Sequence, residues 1–420
     1  MRTIKKFSAI LLIVLTAISV FTTTSCAIDY EDTPLSEIYK DHTGYTMVAS
    51  RKGNTHYEPE NSLSSVEQAV KDGADIVEID IKKTSDGVLI LMDDDTITRT
   101  CYGYGEKTAV AEMTYAEIKK LKLLTGKGGA SADKTEKTVP SLEDVFKNRQ
   151  NCLYLLDAEW ELRNEIYTLA EKYDMLDSVI FYICDAKTDE IADWKSTLST
   201  KPMIMTYFKG NVIFAATASV KNAAEVSDCI QLATKNPYGV IFGETVQETA
   251  YESSIRTMAT PCYSELCGGR QDTAEYWDEL ISRGFNVILT DYAYELRRYV
   301  DDSHNIKALE LKWITNMLVN KWELPDFNSD KFLDYKLAYT TAAEKAEELM
   351  SKDQSRSYSD CAQAIYELQK AYDDINANYE ELSQGTAGMT VTPVRILLCV
   401  LAVAAVTLVE IFFYKKKKKA

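Results

Sequence analysis

Short apolar runs alternate with amphipathic stretches from Thr46 to about Val300. Nine runs rich in β-branched and aromatic residues are predicted strands: Met47–Ser50, Asp75–Ile81, Val88–Met92, Leu153–Asp157, Ser178–Ile183, Pro202–Thr206, Tyr238–Phe242, Thr257–Tyr263 and Asn286–Thr290. Helical patterns lie between them, and repeated βα units form a parallel sheet. About eight units in this length predict an α/β fold, a (β/α)8 TIM-like barrel. The turn Ser85–Gly87 makes the second and third runs a hairpin, which places one run outside the barrel.

After residue 302 the strand patterns end and three helical stretches follow. They are Lys307–Lys321, Asp330–Met350 and Ser359–Asn378. In the last stretch, apolar residues recur at spacings of three and four, which is typical of one buried helical face. The pattern predicts a barrel domain at 44–302, a small three-helix bundle or stalk at 305–383, and a linker at 384–393.

The two ends of the chain are predicted to lie outside the folded domains. Residues 1–26 have a basic start and an apolar run, as in a secretory signal, with lipoprotein-type acylation of Cys26 as an alternative. The apolar run Ile396–Tyr414 would span roughly 28 Å as a helix, which is close to the bilayer thickness. It predicts a C-terminal transmembrane helix at 394–414, although a buried globular helix followed by a solvated tail would also fit.

The charge pattern orients the chain relative to a membrane. Five lysines, Lys415–Lys419, follow the apolar run. The positive-inside bias keeps a basic tail at 415–420 in the cytoplasm. We therefore expect a single-pass cell-membrane protein whose bulk is extracellular. The whole chain carries −17, and because the basic start contributes +3 and the tail +5, the part between them carries −25. Such an acidic domain is not expected to bind nucleic acid.

Cysteine usage leaves the disulfide state open. Seven of the nine cysteines lie outside the two terminal segments, and their spacing indicates no disulfide framework. Cys262 and Cys267 could close a small loop, or all seven could be free thiols.

Two acidic stretches are candidates for chemistry. Glu78 and Asp80 alternate with apolar residues in one strand, so both point to the same side, with Cα atoms about 6.6 Å apart. Asp93–Asp95 end the next apolar run. Such carboxylates can share a cation, but a solvated edge strand and a solvated turn would give the same pattern. In a parallel barrel, where both faces of a strand are covered, the cation site is the stronger interpretation.

Several motifs occur in a characteristic order over about residues 44–300. They are VASRKG, PENS, GADIVEIDI, TSDG, DDDTITRT, VPSLEDVF and NVILTDY. In order and spacing they resemble the glycerophosphodiester phosphodiesterase family. The resemblance implies a TIM-like barrel that cuts glycerophosphodiesters into glycerol phosphate and an alcohol. It also implies a divalent cation, an arginine that binds the phosphate and two histidines that transfer protons.

The family's metal and phosphate positions can be carried over to this chain. Glu78 and Asp80 match two metal ligands, and Asp157 takes the place of a third, which is a glutamate in the family. Arg51 matches the phosphate-binding arginine. The resemblance therefore implies a Ca²⁺ or Mg²⁺ site and a phosphodiester or polyol ligand such as a glycerophosphodiester.

The family's catalytic positions are changed. Ser50 and Asp93 stand where the family has its two histidines, and Glu159 stands where it has a lysine. Lys52 reads as an insertion before Gly53. Each positioned acid or base contributes roughly 10²–10⁴ in rate. These departures favour a catalytically impaired domain, a pseudoenzyme, or one repurposed to bind a metal and a ligand.

Two other functions stay open. One is an active metal-dependent phosphodiesterase whose acid/base groups are His56, in the loop after Arg51, and Asp93. The other is a surface scaffold or adhesion protein. The helical region faintly resembles the FIVAR modules of bacterial surface proteins, which would imply contact with the cell wall.

Overall fold

The computed structural model describes residues 33–43, 45–236, 238–302, 304–327, 330–351 and 358–383. Within them, eight parallel strands close into a barrel, which confirms the predicted TIM-like architecture. The strands are β1 (Met47–Ser50), β2 (Ile76–Lys83), β6 (Leu153–Asp157), β7 (Val179–Ile183), β8 (Met203–Lys209), β9 (Cys229–Ala233), β10 (Arg256–Ala259) and β11 (Val287–Thr290). Neighbours pair in the order β1-β11-β10-β9-β8-β7-β6-β2, and pairing of β1 with β2 closes the ring.

Three short strands lie outside the ring. β3 (Leu89–Leu91) pairs antiparallel with the end of β2, as the predicted hairpin requires. β4 (Cys101–Tyr102) and β5 (Lys122–Leu123) form a two-stranded sheet in the long segment between β3 and β6. Since parallel strands end at the same face of a barrel, the residues that follow them all gather at one mouth.

One predicted strand is wrong and one strand was missed. Within the predicted strand Tyr238–Phe242, Val240–Phe242 is a 3₁₀ helix between two glycines, where Ile241 and Phe242 pack into the core. The strand of this unit is β9, nine residues earlier in the sequence than the predicted one. Its central residue, Gln231, interrupts the apolar pattern because it lies in the barrel interior, where it accepts a hydrogen bond from Tyr182.

The helices surround the strands and continue beyond them. Their bounds are Leu35–Lys40, Leu63–Lys71, Tyr115–Ile118, Leu142–Lys147, Arg163–Lys172, Thr188–Thr197, Ile213–Ala224, Glu244–Glu252, Ala274–Ser282, Ala293–Asp302, His304–Thr315, Asp330–Ser351, Tyr358–Ala377 and Tyr379–Ser383, with a π-helical turn at Asn316–Lys321. One apolar layer fills the space between strands and helices, and a second fills the barrel interior. Arg256 fastens the first helix below the barrel, because its guanidinium donates to the carbonyl oxygens of Ile38 and Tyr39.

The described residues divide into two compact units. One contains the residues up to Trp322 with Ala342–Lys370, and the other contains Glu323–Thr341 with the residues from Ala371 onward. Helices occur in the three stretches where the sequence predicted them. The separate bundle at 305–383 stays a prediction.

The predictions for the two ends of the chain concern residues that the structure does not describe. The predicted signal (1–26), linker (384–393), transmembrane helix (394–414) and basic tail (415–420) lie outside the described residues. Among the described helices, none combines the length and apolar character that crossing a bilayer requires. None of the seven cysteines in the described segments forms a disulfide, Cys262 and Cys267 included.

Candidate functional site

Three carboxylates meet at the C-terminal ends of two neighbouring strands. Glu78 and Asp80 lie on β2, and Asp157 is the last residue of β6, where the register sets it beside Asp80. One oxygen from each carboxylate lies within 4.8 Å of the others. The structure thus brings together the three predicted metal ligands, and no other such cluster occurs in the described part of the chain.

The carboxylates are poorly compensated without a cation. Glu78 Oε2 is buried and has no hydrogen-bond partner among the described residues. Burial raises the pKa of Glu78 well above its ordinary value, and the charges of Asp80 and Asp157 add to the effect. Burial, followed by Asp80 and Asp93, raises the pKa of Asp157 to about 7. Three hard oxygen donors with an unsatisfied buried atom fit a Ca²⁺ or Mg²⁺ ion.

Asn61 fixes the central ligand. Its Nδ2 donates to Asp80 Oδ2 at 2.7 Å, and its Oδ1 accepts from the backbone N–H of Asp80 at 3.0 Å. Asn61 adopts a positive φ of 53°, a conformation that asparagine tolerates better than most residues. Asn61 belongs to the PENS motif, for which the sequence alone predicted no role. In the structure it orients a predicted metal ligand, as second-layer residues of metal sites do.

Arg51 is held firmly beside the carboxylates. It follows β1, and its guanidinium makes a bidentate pair with Asp291, with Nε–Oδ1 at 2.7 Å and Nη2–Oδ2 at 2.9 Å. The guanidinium also lies 4.3 Å from the ring centroid of Tyr263. Asp291 comes from the NVILTDY motif after β11, so two distant motifs meet here. A buried, oriented arginine suits a phosphate oxygen.

Lys52 is a site residue that sequence reasoning missed. It has a positive φ of 58°, which turns the chain so that its buried ammonium lies 3.5 Å from Asp80 Oδ2 and contacts Asp93. Burial alone would lower the pKa of Lys52, but the negative charges around it, Asp80 foremost, raise it above its ordinary value. Lys52 therefore supplies a positive charge next to the acidic cluster. The sequence feature that could have identified Lys52 is its position directly after the predicted phosphate-binding arginine.

The two positions of the family histidines also lie at this mouth. Ser50 ends β1 and is buried, in register with Thr290 and Val77. Asp93 follows β3, is partly exposed and pairs with Lys52. Both positions lie at this end of the barrel, but the Ser50 side chain continues the helix-facing side of β1 with Val48, whereas Glu78 and Asp80 continue the interior side of β2 with Ile76.

His56 lies on the rim of the barrel rather than in the carboxylate cluster. The side chain is exposed, and its ring packs on Tyr292 with centroids 4.9 Å apart. Its backbone N–H donates to Asn54 Oδ1 at 2.9 Å. A catalytic role for His56 stays a prediction.

Glu159, which stands where the family has a lysine, is exposed to solvent. Its side chain is 65% exposed and lies 3.7 Å from Lys82, which also pairs with Asp95 at 2.7 Å. The negative charge at this position is therefore solvated and partly neutralised.

Comparison with known proteins supports the class that this fold and site define. Residues 52–252 match the glycerophosphoryl diester phosphodiesterase family. A segment of 85 residues is 40% identical to glycerophosphodiester phosphodiesterase 1 of Rattus norvegicus, which is 20% of this chain and 24% of that protein. Another of 102 residues is 34% identical to a glycerophosphodiester phosphodiesterase of Caldanaerobacter subterraneus, or 24% of this chain and 40% of that protein. The chain thus spans less than half the length of these curated relatives.

Solved structures support the same fold. A glycerophosphoryl diester phosphodiesterase from Parabacteroides distasonis is 19% identical, with a TM-score of 0.52, over 64% of this chain and 92% of that one. The match to the glycerophosphoryl diester phosphodiesterase family covers just under half of this chain and lies within the barrel segment. The predicted metal ligands Glu78, Asp80 and Asp157 fall inside the matched residues.

Proposed function

We propose that the barrel binds a divalent cation and a phosphodiester anion such as a glycerophosphodiester, and hydrolyses it slowly or not at all. The observation that carries the proposal is the buried trio of Glu78, Asp80 and Asp157, in which Glu78 Oε2 has no partner among the described residues. Burying unpaired carboxylates is costly. A divalent cation would offset this cost and, when bound, would neutralise charge on a phosphoryl oxygen.

The anion would be held by fixed positive charges of the chain itself. Arg51 is oriented by Asp291 and Tyr263, so its guanidinium loses little freedom when it binds a phosphate oxygen. Lys52 adds a second charge at the same mouth. Together these groups would offset the repulsion between the acidic trio and a phosphodiester.

Proton transfer is the part of the reaction that the site supports poorly. The Ser50 hydroxyl needs a base of its own before it can exchange a proton near neutral pH. Asp93 is paired with Lys52, so its carboxylate is already engaged. Since each missing acid or base costs roughly 10²–10⁴ in rate, we expect binding to outlast turnover.

Cation and diester titrations of the full chain in detergent test this proposal. Calorimetry should show one Ca²⁺ or Mg²⁺ per chain, and a soluble glycerophosphodiester should bind only after the cation. Glu78→Gln keeps the side-chain shape and should abolish cation binding, whereas Asp177→Asn, at an exposed carboxylate, should not. Equal titrations of the two variants would refute the metal site. Rapid cation-dependent hydrolysis by the native chain would refute the impaired chemistry.

We further propose that the barrel faces outward from the cell membrane, tethered by residues 394–414. The apolar run and the lysines after it support this orientation. Protease added to intact cells should remove residues 44–380 and leave the lysine tail intact. Protection of the barrel domain would contradict the orientation.

A further inference from the structure

Exposed apolar side chains of the barrel segment are concentrated on one face. In the described residues before 300, ten large apolar or aromatic side chains are exposed. Nine of them belong to a segment between the C-terminal end of a barrel strand and the next helix, or to the first turn of that helix, and the tenth, Tyr104, follows β4 outside the ring. Segments after the barrel strands lie at the barrel mouth. None of the nine lies on the opposite face, where the strands begin.

The densest part of this surface follows two neighbouring strands. Val212, Ile213 and Phe214 follow β8, and Tyr238 and Val240 follow β9. We call these five residues the apolar rim. Phe214 is 81% exposed and Tyr238 87% exposed. The two segments start side by side, because the N–H of Gly210 donates to the carbonyl of Ala233 at 3.0 Å.

The charge around the apolar rim differs from that of the rest of the chain. Exposed Lys209 and Lys235 flank its two segments, and Lys209 lies in register with Ala233 at the end of β9. Neither 206–224 nor 229–243 contains an acidic residue, in a chain of net charge −17. The two segments that carry the rim are thus themselves basic, in a chain that is acidic overall.

We propose that the apolar rim seats the barrel mouth on a phospholipid surface. Aromatic and aliphatic side chains gain free energy when they leave water for the headgroup and acyl boundary. Lysines beside them suit lipid phosphates, and their ammonium groups stay in the interface while their stems lie along apolar groups. Without a partner, a contiguous apolar surface of this kind would stay in contact with water, which is unfavourable, and such surfaces typically mark binding sites.

The lack of acidic groups argues against a second copy of the chain on this surface. Two rims placed face to face would bring lysines against lysines. A phospholipid surface offers apolar depth and phosphate oxygens together. The rim shares the mouth with the carboxylate trio, so docking would bring surface-borne phosphodiesters to Arg51. This inference concerns binding and stands whether or not the site hydrolyses them.

Depth-dependent quenching in the full chain tests the proposal. Phe214→Trp places a fluorophore in the rim, and Ser199→Trp places one at an exposed position below the start of β8. Each full-length variant is reconstituted into phosphatidylcholine vesicles with or without brominated acyl chains, and the signal of the native tryptophans is subtracted. β8 has seven residues and spans about 20 Å, so only one position can lie within quenching range.

The bromines should quench the Phe214→Trp fluorescence by at least half and leave Ser199→Trp unchanged. Tyr238→Trp, in the neighbouring segment, should behave like Phe214→Trp. Adding Lys209→Glu and Lys235→Glu to Phe214→Trp should reduce the quenching at least twofold. Equal quenching at positions 214 and 199 would overturn the proposal. So would a concentration-dependent spectral shift of Phe214→Trp that needs no vesicles, since that would indicate a second copy on the rim.

Discussion

Cation binding at the carboxylate trio should release protons, and its affinity should therefore rise with pH. Metal ligands must be deprotonated, so a cation competes with protons for the same oxygens. Burial, with Asp80 and Asp93, raises the pKa of Asp157 to about 7. Burial, with Asp80 and Asp157, raises the pKa of Glu78 in the same direction. Near neutral pH the cation-free site therefore carries protons that an exposed carboxylate would have lost.

The size of the effect follows from Asp157 alone. For one group with a pKa of about 7, the deprotonated fraction rises from about a tenth at pH 6 to about nine tenths at pH 8. The apparent association constant should therefore rise about tenfold over this range, which is about 1.4 kcal/mol. At pH 7 about half a proton per cation should be released by this group. The raised pKa of Glu78 adds to both quantities.

Calorimetry in two buffers of different ionisation enthalpy measures both predictions. The full chain is titrated with Mg²⁺ or Ca²⁺ at pH 6, 7 and 8, and the difference in heat between the buffers counts the protons. Asp177→Asn, which changes an exposed carboxylate outside the site, should reproduce the native pH dependence. An affinity independent of pH from 6 to 8, with no proton released, would refute the description of the trio as protonated without a cation.

Three further predictions follow from the same side chains. The pKa of Asp157 is raised from 3.8 to about 7, so its contribution to the stability of the cation-free fold is present at low pH and is lost as the pH rises through this range. Asp157→Asn removes this pH-dependent loss. At pH 8 the variant should therefore have a larger free energy of unfolding than the native chain, by as much as about 4 kcal/mol. Denaturant unfolding measures this, and a destabilised variant would contradict it. Asn61→Gly keeps the positive φ but removes both hydrogen bonds to Asp80, so cation affinity should fall about 10–100-fold; an unchanged calorimetric titration would argue against a positioning role. Asp93→His places a group that titrates near neutral pH at the barrel mouth, and cation-dependent hydrolysis of a glycerophosphodiester should exceed that of the native chain. A native rate equal to or above that of the variant would contradict the inferred loss of proton transfer.

The sequence by itself determined the barrel and most of its site. Apolar runs alternating with amphipathic helices specify βα units because a strand buried on both faces has to be apolar throughout. The alternation in IVEIDI fixed the side on which Glu78 and Asp80 lie, since the side-chain period of a strand is two. The motif spacing placed Asp157 and Arg51 at the ends of other strands. These are local properties, and they can be read without knowing what lies opposite them.

Only the tertiary structure decided which groups meet. Gln231 broke the apolar pattern of β9 because its side chain bonds Tyr182 of β7, two strands away in the ring. Ile241 and Phe242 resembled a strand because a short helical turn can bury the same side chains. Lys52 read as an insertion, yet its positive φ turns its ammonium toward Asp80. Each of these outcomes depends on contacts between residues far apart in the chain. Charges and hydrogen bonds act through space, so the electrostatics of the mouth are set when the closing barrel brings β1, β2 and β6 together.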